Sequence, residues 1–396
     1  MIKDIREKFN LSFSELLYSQ VIDRVNRDFG KQVPFHIAES PVFVPPQLGK
    51  KILDAGRFVC SHLLDPSSLE STTAIVPPIL RDSCNSKFPE CLAIDFGVIE
   101  NEQGELDCQL IELQGAMSLF GFTDILATAY QEIYGLHGNY TPYLSGLNAG
   151  PYNMLLKRCL VGNHDPENVV LLDIYPAKQQ NQIDFYAIQT KLSIPTICIS
   201  DMHFEDDKIF YFLGGRRIRI ERIINRVLIE ELNSYPELSA CFSFEKHYEV
   251  EYINHPAWFY RVSKYIMPSL KGPNFPHCMQ LEEAVIKELD LSRYVLKPIF
   301  SFGGHGIELN PSKQMVEELK NKTNYILQER VKYASCISTP KGNVKLEIRL
   351  LLLWDADISN YVPVITLARL SKGPFMALSC NKDAWIGASV CLFELD

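Results

Sequence analysis

Two short segments, Ala93-Ile94-Asp95-Phe96 and Ile111-Glu112-Leu113-Gln114-Gly115, decide the fold of this chain. They belong to two strand-like stretches, 91–99 and 106–113, which are separated by the turn-like sequence Asn101-Glu102-Gln103-Gly104. Apolar stretches on both sides of a short polar turn are typical of a β-hairpin. We therefore predict that the two segments pair as neighbouring antiparallel strands.

Three polar side chains of this hairpin, Asp95, Glu112 and Gln114, carry the first functional prediction. If the loop has an even number of residues, Asp95 and Glu112 lie on one face, and Gln114 shares it by the period of two. An odd loop would place the two acids on opposite faces. Facing carboxylates in a covered sheet repel each other unless a cation lies between them, and oxygen ligands of this kind suit Mg²⁺. The alternative is that both acids end their strands in solvent.

A lysine inside an apolar strand gives the second functional prediction. Lys297 lies in Tyr294-Val295-Leu296-Lys297-Pro298, and the Gly-rich sequence Ser301-Phe302-Gly303-Gly304-His305-Gly306 follows it. Burying a lysine is costly without an anion, and the backbone N–H groups of a Gly-rich turn can approach phosphates closely. The two features together predict a phosphate-binding site, and the alternative is an ordinary turn.

The rest of the chain predicts a mixed α+β and α/β protein. The spacing Ser12-Phe13-Ser14-Glu15 predicts a helix that ends near Gly30, and a second helix is expected over 48–64. The apolar run 169–174 begins a strand–helix–strand order, with a further strand over 218–225, that predicts a small Rossmann-like unit. The last third of the chain alternates apolar strands with turns, which predicts a mostly antiparallel domain.

Composition and charge exclude several classes of protein. The 396 residues carry a formal net charge of −9, and nucleic acids or membrane surfaces need basic patches, so neither is an expected partner. Eleven cysteines without a CxxC pair argue against a disulfide framework or a structural zinc site, and they indicate a reducing compartment. No apolar leader follows Met1, so the expected location is the cytoplasm.

Several C-terminal segments together resemble an ATP-grasp domain. The Lys297 strand and the glycines after it resemble the family's lysine strand and phosphate-covering loop. Tyr325-Ile326-Leu327-Gln328-Glu329-Arg330-Val331 is similar to the hinge whose backbone meets the adenine edge. A further run resembles ribosomal-protein glutamate ligases and their relatives, and it consists of Glu347-Ile348-Arg349, Ala368-Arg369-Leu370-Ser371, Asn381 and Gly387.

The order of these segments resembles circularly permuted ATP-grasp proteins, whose relatives include glutathionylspermidine synthase. In the usual family order the magnesium ligands follow the C-terminal run, whereas here the 93–115 hairpin near the start resembles that segment. The resemblance implies a circularly permuted ATP-grasp fold with a Rossmann-like preATP-grasp domain. Its implied parts are N-terminal helices with the metal hairpin over 1–165, the Rossmann-like domain over 166–258, and the nucleotide-binding lobes over 259–396.

The resemblance also implies an ADP-forming ligase that joins a small-molecule carboxylate to an amine through an acyl phosphate. Its cofactors would be ATP and Mg²⁺. The implied roles are Mg²⁺ binding by Asp95, Glu112 and Gln114; ATP binding by Lys264, Lys297, Ser301, Gly303, Gly304, Gly306, Gln328, Glu329 and Val331; and catalytic charge stabilisation by Arg349 and Arg369.

The alternatives are a small-molecule kinase that uses the same ATP site and a non-catalytic ATP-binding protein. For single residues, the alternatives are a solvated helix lysine at Lys264 and surface ion pairs at Arg349 and Arg369. The chain also departs from the family in two places. Gln114 stands where the usual residue is Asn, and Ala93 stands where glutathionylspermidine synthases have an arginine, so their acceptor chemistry is not implied.

Overall fold

The computed structural model describes residues 2–84, 86–284, 286–301, 303–374, 376 and 383–395. Phe302 and Asn381, which belong to the sequence patterns above, lie outside the described residues. The helices are α1 (Lys3–Ser12), α2 (Glu15–Phe29), α3 (Pro46–Leu64), α4 (Pro66–Ser71), α5 (Pro78–Ser83), α6 (Phe120–Tyr134), α7 (Ala149–Leu160), α8 (Gln182–Leu192), α9 (Ile229–Leu232), α10 (Pro236–Ser239), α11 (Ala257–Arg261) and α12 (Lys313–Glu318). In this described part of the chain, no helix is both long enough and apolar enough to cross a membrane.

The strands make up four sheets among the described residues. They are β1 (Val42–Val44), β2 (Cys91–Glu100), β3 (Leu106–Gln114), β4 (Tyr140–Thr141), β5 (Val169–Asp173), β6 (Thr196–Cys198), β7 (His203–Glu205), β8 (Lys208–Leu213), β9 (Arg216–Ile220), β10 (Arg222–Asn225), β11 (Glu251–Ile253), β12 (Cys278–Gln280), β13 (Tyr294–Pro298), β14 (Tyr325–Glu329), β15 (Lys345–Asp355), β16 (Asn360–Ser371) and β17 (Gly387–Glu394).

The two helices predicted near the N-terminus are confirmed. The Ser14 hydroxyl accepts a hydrogen bond from the N–H of Leu17 at the start of α2, and Gly30 ends that helix with φ +77°. Helix α3 packs against the central sheet, where Gly56 allows close approach because a Cβ there would lie 2.5 Å from a methyl group of Leu350. Helix α1 was not predicted. No side chain caps its start, so the sequence carries no capping signal for it.

The central sheet joins the predicted hairpin to the C-terminal strands. Its order is β1-β17-β16-β15-β2-β3, with β4 paired to β17. Strand β2 pairs antiparallel with both β3 and β15, and Asp95 of β2 lies opposite Arg349 of β15, 254 positions along the chain. Apolar side chains cover both faces of this sheet, so polar groups within it are buried.

The hairpin reaches its predicted arrangement by an unexpected route. Glu100 pairs with Leu106, so the loop contains the five residues between them, an odd number that by itself would place the two acids on opposite faces. The register then shifts by one residue because Ile111 forms a bulge, and beyond it Asp95 pairs directly with Glu112. The bulge cancels the odd loop, so both acids lie on one face.

The strands β11-β10-β5-β6 form a parallel sheet, and helix α8 lies in the connection between β5 and β6. The prediction of one strand over 218–225 is wrong. Glu221 separates β9 from β10, and the two strands belong to different sheets. Strand β9 joins the antiparallel order β7-β8-β9. A last antiparallel sheet, β12-β14-β13, carries Lys297 on β13.

Candidate functional site

A cleft of about 1210 Å³ lies where the central sheet, the parallel sheet and the β12-β14-β13 sheet meet. This volume exceeds the roughly 300–1,000 Å³ that is usual for a small-molecule site, so the cleft has room for two ligands side by side. Its wall includes ten of the residues that the sequence predicts for the site: Glu112, Gln114, Lys297, Gly303, Gly304, Gln328, Glu329, Val331, Arg349 and Arg369.

Asp95 is the most deeply buried acid of the site, at 1% exposure. Arg349 binds it in a bidentate manner, with Nε 2.7 Å from Oδ1 and Nη2 2.7 Å from Oδ2, and Arg369 donates a further hydrogen bond to Oδ2. Burial alone would raise the pKa of Asp95, but the two guanidinium groups hold that pKa well below its usual range. The cation that facing carboxylates require is therefore present, and it is an arginine.

Glu112 lies beside Asp95 and is 13% exposed. Its Oε1 accepts a hydrogen bond of 3.0 Å from Nε2 of Gln114 and lies 3.8 Å from Nη2 of Arg349. Its Oε2 lies 3.7 Å from Nζ of Lys264. Both oxygens of Glu112 thus have polar partners, though at longer distances than those of Asp95.

Two lysines are buried near Glu112. Lys264 is 4% exposed and Lys297 is 6% exposed, so the alternative of a solvated helix lysine at Lys264 is wrong. Nζ of Lys297 donates to the carbonyl of Ile111 at 2.9 Å, and Nζ of Lys264 donates to the carbonyl of Ser301 at 2.7 Å. Burial lowers the pKa of Lys297 to about 8 against the opposing effect of Glu112, and burial likewise lowers the pKa of Lys264.

A third buried acid, Glu347, completes the cluster. It lies two residues before Arg349 on β15, on the same face of the strand. Its Oε1 is 3.1 Å from Nη1 of Arg369. The hydroxyl of Tyr333 donates to its Oε2 at 2.5 Å. Burial raises the pKa of Glu347, although Arg369 opposes this effect. Because Arg349 and Arg369 are buried in this network, the alternative of surface ion pairs is wrong for both.

In the charged cluster around Asp95, basic side chains outnumber acidic ones. Four basic side chains (Lys264, Lys297, Arg349 and Arg369) are packed with three carboxylates (Asp95, Glu112 and Glu347). Each acid contacts at least one of the cations. Counted at their ordinary charges, four basic groups and three carboxylates leave one positive charge in excess. An excess of buried cations stabilises a bound anion and disfavours a free cation.

The Gly-rich loop and the hinge border the other side of the cleft. Gly303 and Gly304 have φ angles of +57° and +82°, a left-handed conformation that favours glycine. In the hinge, the N–H groups of Glu329 and Arg330 already donate to backbone carbonyls at 2.7 and 2.8 Å. The hinge N–H groups that can meet a ligand edge therefore begin at Val331.

Four of the predicted residues lie away from the cleft wall as the structure describes it. Asp95 lies beneath the two arginines, and Lys264 lies behind Glu112. Ser301 holds Lys264 through its carbonyl, and Gly306 packs against Pro298, where a Cβ would come within 2.8 Å of the proline ring. Their predicted contacts with ATP or Mg²⁺ remain predictions.

The far end of the cleft lies at the carboxyl ends of the parallel strands. Asp173 ends β5 and is 4% exposed, and burial raises its pKa to about 7. Nε of Arg226 is 3.9 Å from its Oδ2 and has no hydrogen-bond partner among the described residues. One signal for this end was available in the sequence, because Asp173 is an acid within an otherwise apolar run.

The residues predicted to bind Mg²⁺ fit this ion only in part. Within the described residues, no group of three or more His, Cys, Asp or Glu side chains is arranged to hold a metal ion. Glu112 and Gln114 lie together on the cleft wall and offer oxygens of the kind that Mg²⁺ prefers. Asp95 does not fit, because both of its oxygens accept hydrogen bonds from arginine.

Comparison with solved structures identifies the fold. The chain is similar to a glutathione synthetase-like effector from Globodera pallida, with a TM-score of 0.59 over 96% of this chain and 97% of that chain, at 11% sequence identity. No protein-family profile matches the chain, and no curated protein matches it. The fold is thus a mixed α+β fold of the glutathione synthetase-like kind, which agrees with the expected ATP-grasp-like architecture.

Proposed function

We propose that this protein is an ATP-dependent ligase that joins a carboxylate to an amine and releases ADP and phosphate. The observation that carries the proposal is the convergence of Lys297, Arg349 and Arg369 on the wall of one cleft with room for two ligands, with Lys264 buried behind Glu112. Phosphoryl transfer depends on positioning and on neutralising charge, and buried cations supply both. The glutathione synthetase-like fold supports the same class of reaction.

The nucleotide is placed in the half of the cleft between Lys297, the Gly-rich loop and the hinge. Lys297 meets phosphate oxygens, the N–H groups around Gly303 and Gly304 cover them, and the chain from Val331 onward borders the base. Glu112 and Gln114 would hold a magnesium ion that accompanies ATP, and such an ion would neutralise phosphate charge. The second ligand lies towards Asp173 and Arg226.

The reaction then follows from charge placement. A carboxylate oxygen attacks the γ-phosphorus, the bond to the bridging oxygen breaks, and ADP leaves. The amine nitrogen attacks the acyl carbon, the bond to the phosphate oxygen breaks, and the nitrogen loses a proton. Arg369 is the better placed of the two predicted catalytic arginines, because its Nε has no hydrogen-bond partner among the described residues, although Asp95 and Glu347 hold its Nη atoms. All three guanidinium nitrogens of Arg349 are engaged by Asp95 and Ser118.

We also propose that the chain has the architecture of a circularly permuted ATP-grasp protein. Strands β2 and β3 complete the sheet of β15, β16 and β17, which is the arrangement expected of a circularly permuted ATP-grasp domain. The parallel sheet β11-β10-β5-β6 corresponds to the expected Rossmann-like preATP-grasp domain. One observation favours a second candidate, a non-catalytic ATP-binding protein: Asp95, an expected metal ligand, is fully engaged by arginines.

An ADP-release screen tests the proposal. Pools of carboxylates and of amines are tested separately and together with ATP and Mg²⁺, and the products are identified by mass spectrometry. ADP that requires both pools, with an amide product, supports the ligase. A phosphorylated product from one pool alone indicates a kinase, and ATP binding without ADP in any pool indicates the non-catalytic candidate. Lys297→Met is the inactive variant, and Lys313→Met, at an exposed lysine on α12, is its matched control.

A further inference from the structure

A row of charged side chains crosses three strands of the central sheet. Arg349 lies directly opposite Asp95 in the register of β15 and β2, and Asp95 lies directly opposite Glu112 in the register of β2 and β3. Directly paired residues project from the same face of a sheet. The long side chain of Arg349 therefore extends over Asp95 towards Glu112.

The carboxylate oxygens of this row already have donors. Both oxygens of Asp95 accept hydrogen bonds of 2.7 Å from Arg349, and the Oδ2 atom accepts a further one from Arg369. Nη2 of Arg349 also lies 3.8 Å from Glu112, and Nη1 donates to the hydroxyl of Ser118 at 2.6 Å. The guanidinium group is thus fixed at three of its nitrogens, between the two acids.

A divalent ion would have to displace this arrangement to reach Asp95. Asp95 lies under the two arginines and away from the cleft wall, whereas Arg349 and Arg369 line that wall. A guanidinium remains charged at all accessible pH values and matches a carboxylate with two parallel hydrogen bonds. Mg²⁺ gives up its water reluctantly, and the displaced arginine would remain nearby as a buried like charge.

We propose that the guanidinium of Arg349 is the permanent cation of the Asp95–Glu112 pair, so that this pair takes up no divalent metal ion. Glu112, which lies next to Gln114 on the cleft wall, is then the acid of this pair that can reach an ion arriving with a ligand. This arrangement belongs to the protein without nucleotide, and it does not depend on whether the chain is a ligase.

Titration with Mn²⁺, followed by the electron paramagnetic resonance signal of the free ion, tests this inference on the full chain without nucleotide. We expect the wild type to show no saturable binding below millimolar Mn²⁺. Arg349→Gln removes one of the two guanidinium groups at Asp95 and leaves its Oδ1 without a donor beside Glu112, while Arg369 still holds Oδ2. The variant should therefore bind Mn²⁺ at least tenfold more tightly than the wild type. Arg349→Lys, which keeps a positive charge there, is the matched control and should behave like the wild type.

The double variant Arg349→Gln/Asp95→Asn locates the new site, because it should lose the gain in Mn²⁺ affinity. Circular dichroism and thermal melting establish that each variant is folded. If Arg349→Gln does not fold, the wild type decides alone: saturable Mn²⁺ binding in the micromolar range would overturn the inference. So would equal Mn²⁺ affinity in folded Arg349→Gln and in the wild type.

Discussion

Replacing Lys297 with methionine gives the sharpest test of the nucleotide site. The substitution keeps a long flexible side chain in β13 and removes the charge and the hydrogen bond of 2.9 Å to the Ile111 carbonyl. The loss of one charge-assisted contact with phosphate should weaken ATP binding by about 2 kcal/mol, which is about 30-fold in Kd. The protein should remain folded, because the change removes a charge that is costly to bury.

The pH dependence of ATP binding tests whether the charged form of Lys297 binds the phosphates. Burial lowers its pKa to about 8 in the free protein, and a bound phosphate favours the charged form and raises that pKa. Below pH 8 the lysine is already charged, so affinity should not depend on its protonation. Above pH 8 the free protein must take up a proton on binding, so affinity should fall by up to about tenfold per pH unit.

Isothermal titration calorimetry measures both effects. ATP with Mg²⁺ is titrated at pH 7 and pH 9 in pairs of buffers with different ionisation enthalpies, so that proton uptake appears as a difference in heat. The wild type should take up close to one proton at pH 9, and Lys297→Met should take up less. Lys313→Met, which removes an exposed lysine from the same lobe, should bind like the wild type. Unchanged ATP affinity in Lys297→Met would refute the assignment, as would unchanged proton uptake.

Three other predictions concern stability. Glu112→Lys should reduce the free energy of unfolding by roughly 3–5 kcal/mol in urea titration, because it leaves Lys264 buried beside a like charge, and unchanged stability would argue against the ion cluster. Asp173→Asn should raise the melting temperature more at pH 8 than at pH 5. Burial raises the folded-state pKa of Asp173 to about 7, above the value in the unfolded chain. The free energy of unfolding therefore falls as pH rises towards 7, by up to roughly 4 kcal/mol. An equal rise in melting temperature at both pH values would contradict this. Reductant should leave the melting temperature unchanged, because the ten described cysteines are free thiols, and a large decrease would reveal a disulfide.

Local patterns in the sequence predicted the elements well, because each element depends on neighbouring residues. The capped helix that ends at Gly30, the hairpin strands and the lysine strand β13 were all indicated by spacing and polarity. The pairing of β2 with β15 agrees with the resemblance to circularly permuted ATP-grasp proteins, which does not depend on local patterns. The bulge at Ile111 could not be predicted, because a bulge depends on contacts that a residue makes with distant strands.

Ten of the fourteen predicted site residues line the cleft, and the chemistry of the cluster beneath it differs from the prediction at Asp95. Asp95 was expected to bind a metal ion on the basis of its residue type, yet its partners are two arginines from strands far along the chain. Pairing of this kind is a tertiary property that no local window contains. Glu347 was within reach of sequence reasoning, since it shares a face of β15 with Arg349 by the period of two.

The distance along the chain between Asp95 and its arginines has a consequence for biosynthesis. Strand β2 leaves the ribosome long before β15 and β16. The carboxylate of Asp95 therefore has neither arginine partner while most of the chain is synthesised. A nascent β2–β3 hairpin therefore exposes an apolar face with an unpaired acid in it, which disfavours early burial. The domain should close only when β16 has emerged, and chains truncated before β15 should depend on chaperones to stay soluble.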